Sequence, residues 1–186
     1  MSCEYVCARC ASMGPTCCQL APGQEEFCFP LSDIEMDRIR DFVVNKGWFA
    51  QEANSSAFVS HVATLFPGEQ KLVEELFHPR KFHFRLAVDS SGKCIFLSDT
   101  GCRLPTEARP YYCRLFPFWV SGGDIMVLGA DCLARREARG MAMLLRKFTS
   151  TPAKARELHA RLRLAWGLPP ERGMPRPIVS FARSNR

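Results

Sequence analysis

Residues 81–97 read Lys-Phe-His-Phe-Arg-Leu-Ala-Val-Asp-Ser-Ser-Gly-Lys-Cys-Ile-Phe-Leu, and here the period of the apolar side chains changes. Phe82, Phe84, Leu86 and Val88 alternate with polar or small residues, as one face of a strand requires. Asp89 to Gly92 is a turn, and Cys94 to Leu97 is expected to return as a second strand, making a hairpin. Upstream the period is helical. Ser32 and Glu35 have capping-box spacing behind Leu31, so a helix is expected to open there and to run towards Gly47. Two more are expected, from Asn54 or Ser55 to Phe66 and from about Glu69 to Phe77. Downstream, Phe116–Val120 and Ile125–Leu128 frame Ser121–Asp124 as a second hairpin, with a helical turn over 106–113 between the two. Two helices close the pattern, one over 133–148 and one opened by a Thr151 cap and Pro152. The first thirty residues are rich in Cys, Gly and Pro and read as a loop. The order predicts one α+β domain of about five helices and two β-hairpins over 1–167, knit together by a cysteine-bound metal centre. A basic Pro/Arg-rich tail over 168–186 follows, and deletion after Gly167 is expected to cost little stability.

With 47% hydrophobic and 24% charged residues, the 186-residue chain can build a core and is not disordered. No apolar run reaches the length of a bilayer span, so no membrane role is expected. The first residues have neither the basic start nor the apolar stretch of a secretory signal, so a cytoplasmic protein is expected. Ten cysteines then become the main clue, because disulfides do not persist in a reducing compartment and clustered thiols point to metal. Charge is uneven. Residues 1–134 carry 12 Lys+Arg against 16 Asp+Glu, a net −4, and residues 135–186 carry 13 against 3, a net +10. The basic part suits an acidic protein partner, or folding back on the acidic part. Nucleic acid is disfavoured, because no recognition-helix or zinc-finger pattern accompanies the charge.

The cysteines fall into three groups: Cys7-x2-Cys10-x6-Cys17-Cys18, then Cys94-x7-Cys102-x10-Cys113, then Cys132. A Cys-x2-Cys pair lets two sulfurs converge on one metal across a tight turn. These eight residues are the candidate ligands. Cys28, between Phe27 and Phe29, reads as packing. A metal held by four thiolates is anionic and needs nearby donors. Arg103 follows Cys102, and Arg109 and Arg114 bracket Cys113, so these three arginines are expected to donate to the sulfurs or to nearby carbonyls.

Cys7-x2-Cys10, the Cys17-Cys18 doublet, Cys94-Ile-Phe-Leu, and Arg109-Pro-x2-Cys113-Arg-x-Phe-Pro117 resemble the YkgJ-type cysteine-cluster family, a zinc- or iron-chelating domain named for Cys-x2-Cys-x2-Cys-Cys. The resemblance covers roughly residues 7–132. It departs at one place, since six residues (Ala11 to Thr16) precede the doublet where the family commonly has two. It implies metal chelation, and through some members a second reading, an enzyme that modifies protein lysines as flagellin lysine N-methylases do. Against that reading, no glycine-rich nucleotide loop follows a strand. Iron–sulfur or iron, and alternatively zinc, are the cofactors expected. Thiols suit both metals, and the spacing fits neither common ferredoxin pattern. Thiol–disulfide exchange at Cys7-Ala-Arg-Cys10 lacks the βαβ context that such a motif needs.

Overall fold

The structure, a computed structural model, describes residues 6–14, 16–43, 47–129 and 132–170. Its first half runs α1 (Val6–Met13), α2 (Asp33–Arg40), β1 (Phe49–Ala53), α3 (Ser56–Thr64), α4 (Gln70–Leu76) and β2 (Phe82–Leu86). The second half runs β3 (Leu97–Ser98), β4 (Gly101–Cys102), α5 (Tyr111–Leu115), β5 (Phe118–Ser121), β6 (Asp124–Val127), α6 (Leu133–Glu137), α7 (Met141–Lys147) and α8 (Pro152–Ala165). The described residues thus form a mixed α+β domain with eight α-helices and three antiparallel two-stranded sheets. None of the helices is long and apolar enough to cross a membrane.

Side-chain caps set several helix starts. The Ser32 hydroxyl accepts the Glu35 N–H while the Glu35 carboxylate accepts the Ser32 N–H, the reciprocal capping box expected for α2. Ser55 caps α3, and Thr151 caps α8 ahead of the first-turn proline. β5 and β6 form the expected second hairpin, with Phe118 opposite Val127 and Ser121 opposite Asp124.

Four expectations need correction. The segment 6–13 is a helix, not loop: Val6 is buried, and α1 lies across β4 so closely that a Cβ on Gly101 would stand 3.3 Å from the Ala8 Cα. β2 does not form its main ladder with 94–97. It pairs instead with β1, from Phe49 opposite Leu86 to Ala53 opposite Phe82. The 89–92 turn does fold the chain back, with the Ile95 N–H donating to the Ala87 carbonyl at 3.0 Å. The ladder stops there because the Ala87 N–H, which would complete the pair with Ile95, donates to the Trp48 carbonyl at 2.9 Å. The helix expected over 133–148 is two helices, broken where Ala138 turns extended and Gly140 follows. Finally, Leu168 is 1% exposed, so the core takes in a residue that the sequence assigns to the tail. The remaining tail expectation, from 171 onward, lies outside the described residues.

The main core gathers Phe58, Val62, Phe66, Leu115, Trp119 and Leu162 from α3 and the turn after it, α5, β5 and α8. Within it the Trp119 Nε1–H donates to the Leu65 carbonyl at 2.8 Å. A second, smaller core of Ile39, Phe96 and Leu104 packs under Cys94 and Cys102. This small core holds the cysteine-bearing loops in place.

Candidate functional site

Three separate stretches of chain deliver the cysteines. Residues 16–20 run antiparallel to 92–94 through a bridge between Gln19 and Lys93, and the Leu20 N–H donates to the Gly92 carbonyl at 2.9 Å. This sets Cys18 beside Cys94. The approach needs glycine at 92, whose φ is +76° and whose Cβ would sit 2.1 Å from the Leu20 carbonyl oxygen. β3 and β4 then carry Cys102 back, opposite Leu97. Cys113 comes from α5, whose first N–H, that of Tyr111, donates to the buried Glu35 carboxylate at 2.7 Å. Glu35 thereby ties α5 to the start of α2.

The result is a group of thiols that feel one another. Cys113 lies within electrostatic reach of Cys18, Cys94 and Cys102, and Cys94 within reach of Cys18 and Cys102. Cys10, on α1, faces Cys132 and Cys18. Cys17 stands beside Cys18 at the surface, and Cys7 lies one turn before Cys10, partly packed on the main core. Cys28 also reaches Cys94. Among the described residues, no three His, Cys, Asp or Glu side chains close to the geometry that holds a metal ion. The thiols surround a region without converging on a point.

Several sulfurs accept hydrogen bonds. The Phe96 N–H donates to Cys94 and the Leu104 N–H to Cys102, in each case from two residues ahead, and the Leu133 N–H donates to Cys10. Such donors favour the thiolate. Burial opposes them and wins: it pushes Cys10 and Cys102 up, and Cys94 to about 12, with neighbouring thiols adding to the rise. Cys18 is raised by its hydrogen bond with Cys17 and then by burial. Cys113 is raised by burial first and then by Cys18, Cys94 and Cys102. Cys113 is crowded by protein atoms, yet the residue retains an exposed surface.

The three arginines divide. Arg109 lies among the thiols, donating from Nε to the Leu104 carbonyl at 2.8 Å and from its side chain to Cys102, and it lies within electrostatic reach of Cys18. Arg103 donates to the Ile95 carbonyl. Arg114 faces Tyr111, Arg38 and Arg161. Beside Cys102 and Arg109, a recess of about 310 Å³ is also lined by Ala8, Thr100, Gly101 and Thr106.

No family model, curated protein or solved structure matches the chain. The site is therefore read from its own chemistry. Sequence reasoning missed Glu35 as the anchor of the Cys113 helix, although its capping-box signal was visible. It also missed the N–H donors of Phe96, Leu104 and Leu133, which no side-chain pattern announces.

Proposed function

We propose that this chain is a metal-binding protein whose centre is held by Cys18, Cys94, Cys102 and Cys113, with iron–sulfur or iron, alternatively zinc, as the bound species. The observation that carries this reading is the mutual electrostatic reach of four thiols drawn from the 16–20 segment, the 92–102 region and α5. A soft cation or cluster takes four thiolates, which four thiols brought together from three stretches of chain can supply. Cations also reverse the protonation balance: burial holds these thiols neutral, and a bound metal deprotonates them. Arg109 then offsets the negative charge that four thiolates leave on the centre. Closing the sulfurs onto one point requires side-chain rotation about χ1 and small loop shifts. Cys10 and Cys132 face each other and extend the group towards a second site, with Cys7 and Cys17 as the remaining candidate ligands. Cys10, Cys17, Cys18, Cys28, Cys94, Cys102, Cys113 and Cys132 form no disulfide, which suits a reducing, cytoplasmic setting. The basic carboxy-terminal part is offered to an acidic protein partner.

The test is metal and acid-labile sulfide analysis, with a visible spectrum, of protein purified without oxygen. Colour with iron and sulfide selects a cluster, and a colourless protein with stoichiometric zinc selects zinc. Cys113→Ser is expected to abolish most of the metal content and Cys28→Ser to leave most of it. Absence of metal from the wild type, or equal occupancy in both variants, overturns the reading.

A further inference from the structure

Beside the cysteine group lies a set of three arginines, two of them without an ion-pair partner among the described residues. Arg38 of α2 and Arg114 of α5 lie over Tyr111, and Arg161 of α8 lies within electrostatic reach of Arg114. The Arg38 guanidinium carbon stands 4.2 Å from the Tyr111 ring centroid and that of Arg114 stands 5.9 Å from it. Arg161 and its ion-pair partner Glu157, 2.7 Å away, lie within electrostatic reach of Arg114. No carboxylate among the described residues pairs with Arg38 or Arg114. Glu35, buried beside Tyr111, gives its oxygens to Ser32 and to the Tyr111 N–H. The region therefore holds three guanidinium groups against two carboxylates, Glu157 and Glu35, and the oxygens of Glu35 are given to other donors.

Desolvation makes this surplus matter. All three arginines are half-buried, and the Nε of each, with Nη2 of Arg38, is covered by protein yet donates to no acceptor. A covered donor without an acceptor is costly, and like charges held together in partial burial add to that cost. The Tyr111 ring face offsets only part of it. A guanidinium fork matches the oxygens of an oxyanion two at a time. A planar carboxylate has two oxygens, enough for one fork, whereas a tetrahedral group has four and can meet more than one. We propose that Arg38, Arg114 and Arg161 form a binding site for a tetrahedral oxyanion of the phosphate type, locking α2, α5 and α8 together around Tyr111.

The experiment is a titration of the full chain, as purified, with inorganic phosphate at constant ionic strength, chloride serving as the control. Expected is a saturable rise in the thermal midpoint with phosphate, together with broadening of the phosphate phosphorus resonance. Arg38→Gln and Arg161→Gln are each expected to weaken the apparent affinity at least tenfold. Arg114 is left in place because it adjoins Cys113. Metal content should stay unchanged in both variants, which separates this site from the proposed cysteine centre. Competition by phosphoserine extends the site to phosphate esters, and its failure restricts it to the free ion. Either result supports the site where phosphate itself binds. A midpoint that responds to phosphate no more than to chloride, with no line broadening in the wild type, overturns the proposal. So does an unchanged affinity in both variants.

Discussion

The Glu35 carboxylate accepts the Tyr111 N–H at 2.7 Å, joining residues 76 positions apart in the chain. The same carboxylate closes the capping box of α2, accepting the Ser32 N–H at 2.9 Å and the Ser32 hydroxyl at 2.8 Å. One buried side chain thus satisfies orphan donors at the starts of two helices, and the second helix carries Cys113. Glu35→Ala leaves those donors buried and is expected to cost about 2–4 kcal/mol. Glu35→Gln keeps one acceptor but turns an NH₂ group towards N–H donors, so it should fall between the two. Chemical denaturation of the three proteins checks the order. Metal content should fall with Glu35→Ala, since Cys113 loses its anchor.

Gly92 permits the close approach that sets Cys18 against Cys94. A Cβ there would lie 2.1 Å from the Leu20 carbonyl oxygen, while a Cβ on Gly123 would meet nothing within 4 Å, although its φ, +87°, is just as left-handed. Gly123→Ala should therefore cost only the backbone strain, about 1 kcal/mol. Gly92→Ala should cost at least about 2 kcal/mol more, by forcing the 16–20 segment away, and should lower metal occupancy. Equal midpoints for the two variants would show that the 16–20 segment moves at no cost.

What the sequence revealed and what it hid follow from the range of the interactions involved. The starts of α2, α3 and α8 were legible because a cap is a contact within four residues of chain. The β5–β6 hairpin was legible because its turn is local. α1 was not, since Val6 is its one buried residue and its packing surface is Gly101, far away in the chain. β1, Phe-Ala-Gln-Glu-Ala, is poor in β-branched residues and exists because β2 pairs with it. The cysteine types and spacings marked candidate ligands, but their division could not be read there. Which thiols face one another depends on the Cys94–Cys18 backbone bond and on the placement of α5. Arg114 illustrates the same limit: its position next to Cys113 suggested service to the sulfur, and helical geometry aims it at Tyr111 instead.

Two buried histidines predict how stability depends on pH. His159 is fully buried, with both ring nitrogens unpartnered, and burial, then the nearby Arg163 charge, pushes its pKa down to about 3. His83 stacks on Phe58 with its Nδ1 2.8 Å from the Asn54 Oδ1, and burial pushes it down to about 4. Both are neutral in the fold at pH 7 and would take up a proton near 6.5 when unfolded. The unfolded chain therefore binds more protons below that value. Stability is full above pH 6.5 and declines as pH falls through the window down to about 3–4, by about 1.4 kcal/mol per unit for each histidine. His159→Phe should remove its share of the slope between pH 6 and 5. An unchanged slope in denaturation midpoints would mean that this ring is not buried as a neutral base.

Metal removal should loosen the molecule locally. If the cysteines clamp 16–20, 92–102 and α5 together, chelation takes away what ties the first two to the rest. Amide exchange is expected to speed up over 16–20 and 92–102 while α8, rooted in the main core, stays protected. Uniform acceleration across the chain would place the metal elsewhere in the stability hierarchy.

The carboxy-terminal boundary gives the last test. Arg163 is 1% exposed and holds Glu69 with two hydrogen bonds, at 2.9 and 2.7 Å. The Pro169 carbonyl also holds it, accepting from Nε at 2.9 Å and from Nη2 at 2.7 Å. Leu168, between them in the chain, is 1% exposed in the main core, and its N–H donates to the Arg163 carbonyl at 2.8 Å. A chain ending at Gly167 loses the leucine from the core, about 2–5 kcal/mol by itself. It also strips an acceptor from a buried guanidinium, which adds about 1–3 kcal/mol. That cost is far above what a solvated tail would carry. A chain ending at Pro170 keeps both contacts and serves as the comparison. The thermal midpoint of the shorter chain should fall well below that of the longer one, with Leu168→Ala in the full chain falling between them. Equal midpoints for the two truncations would mean that Leu168 and Pro169 do not support the fold.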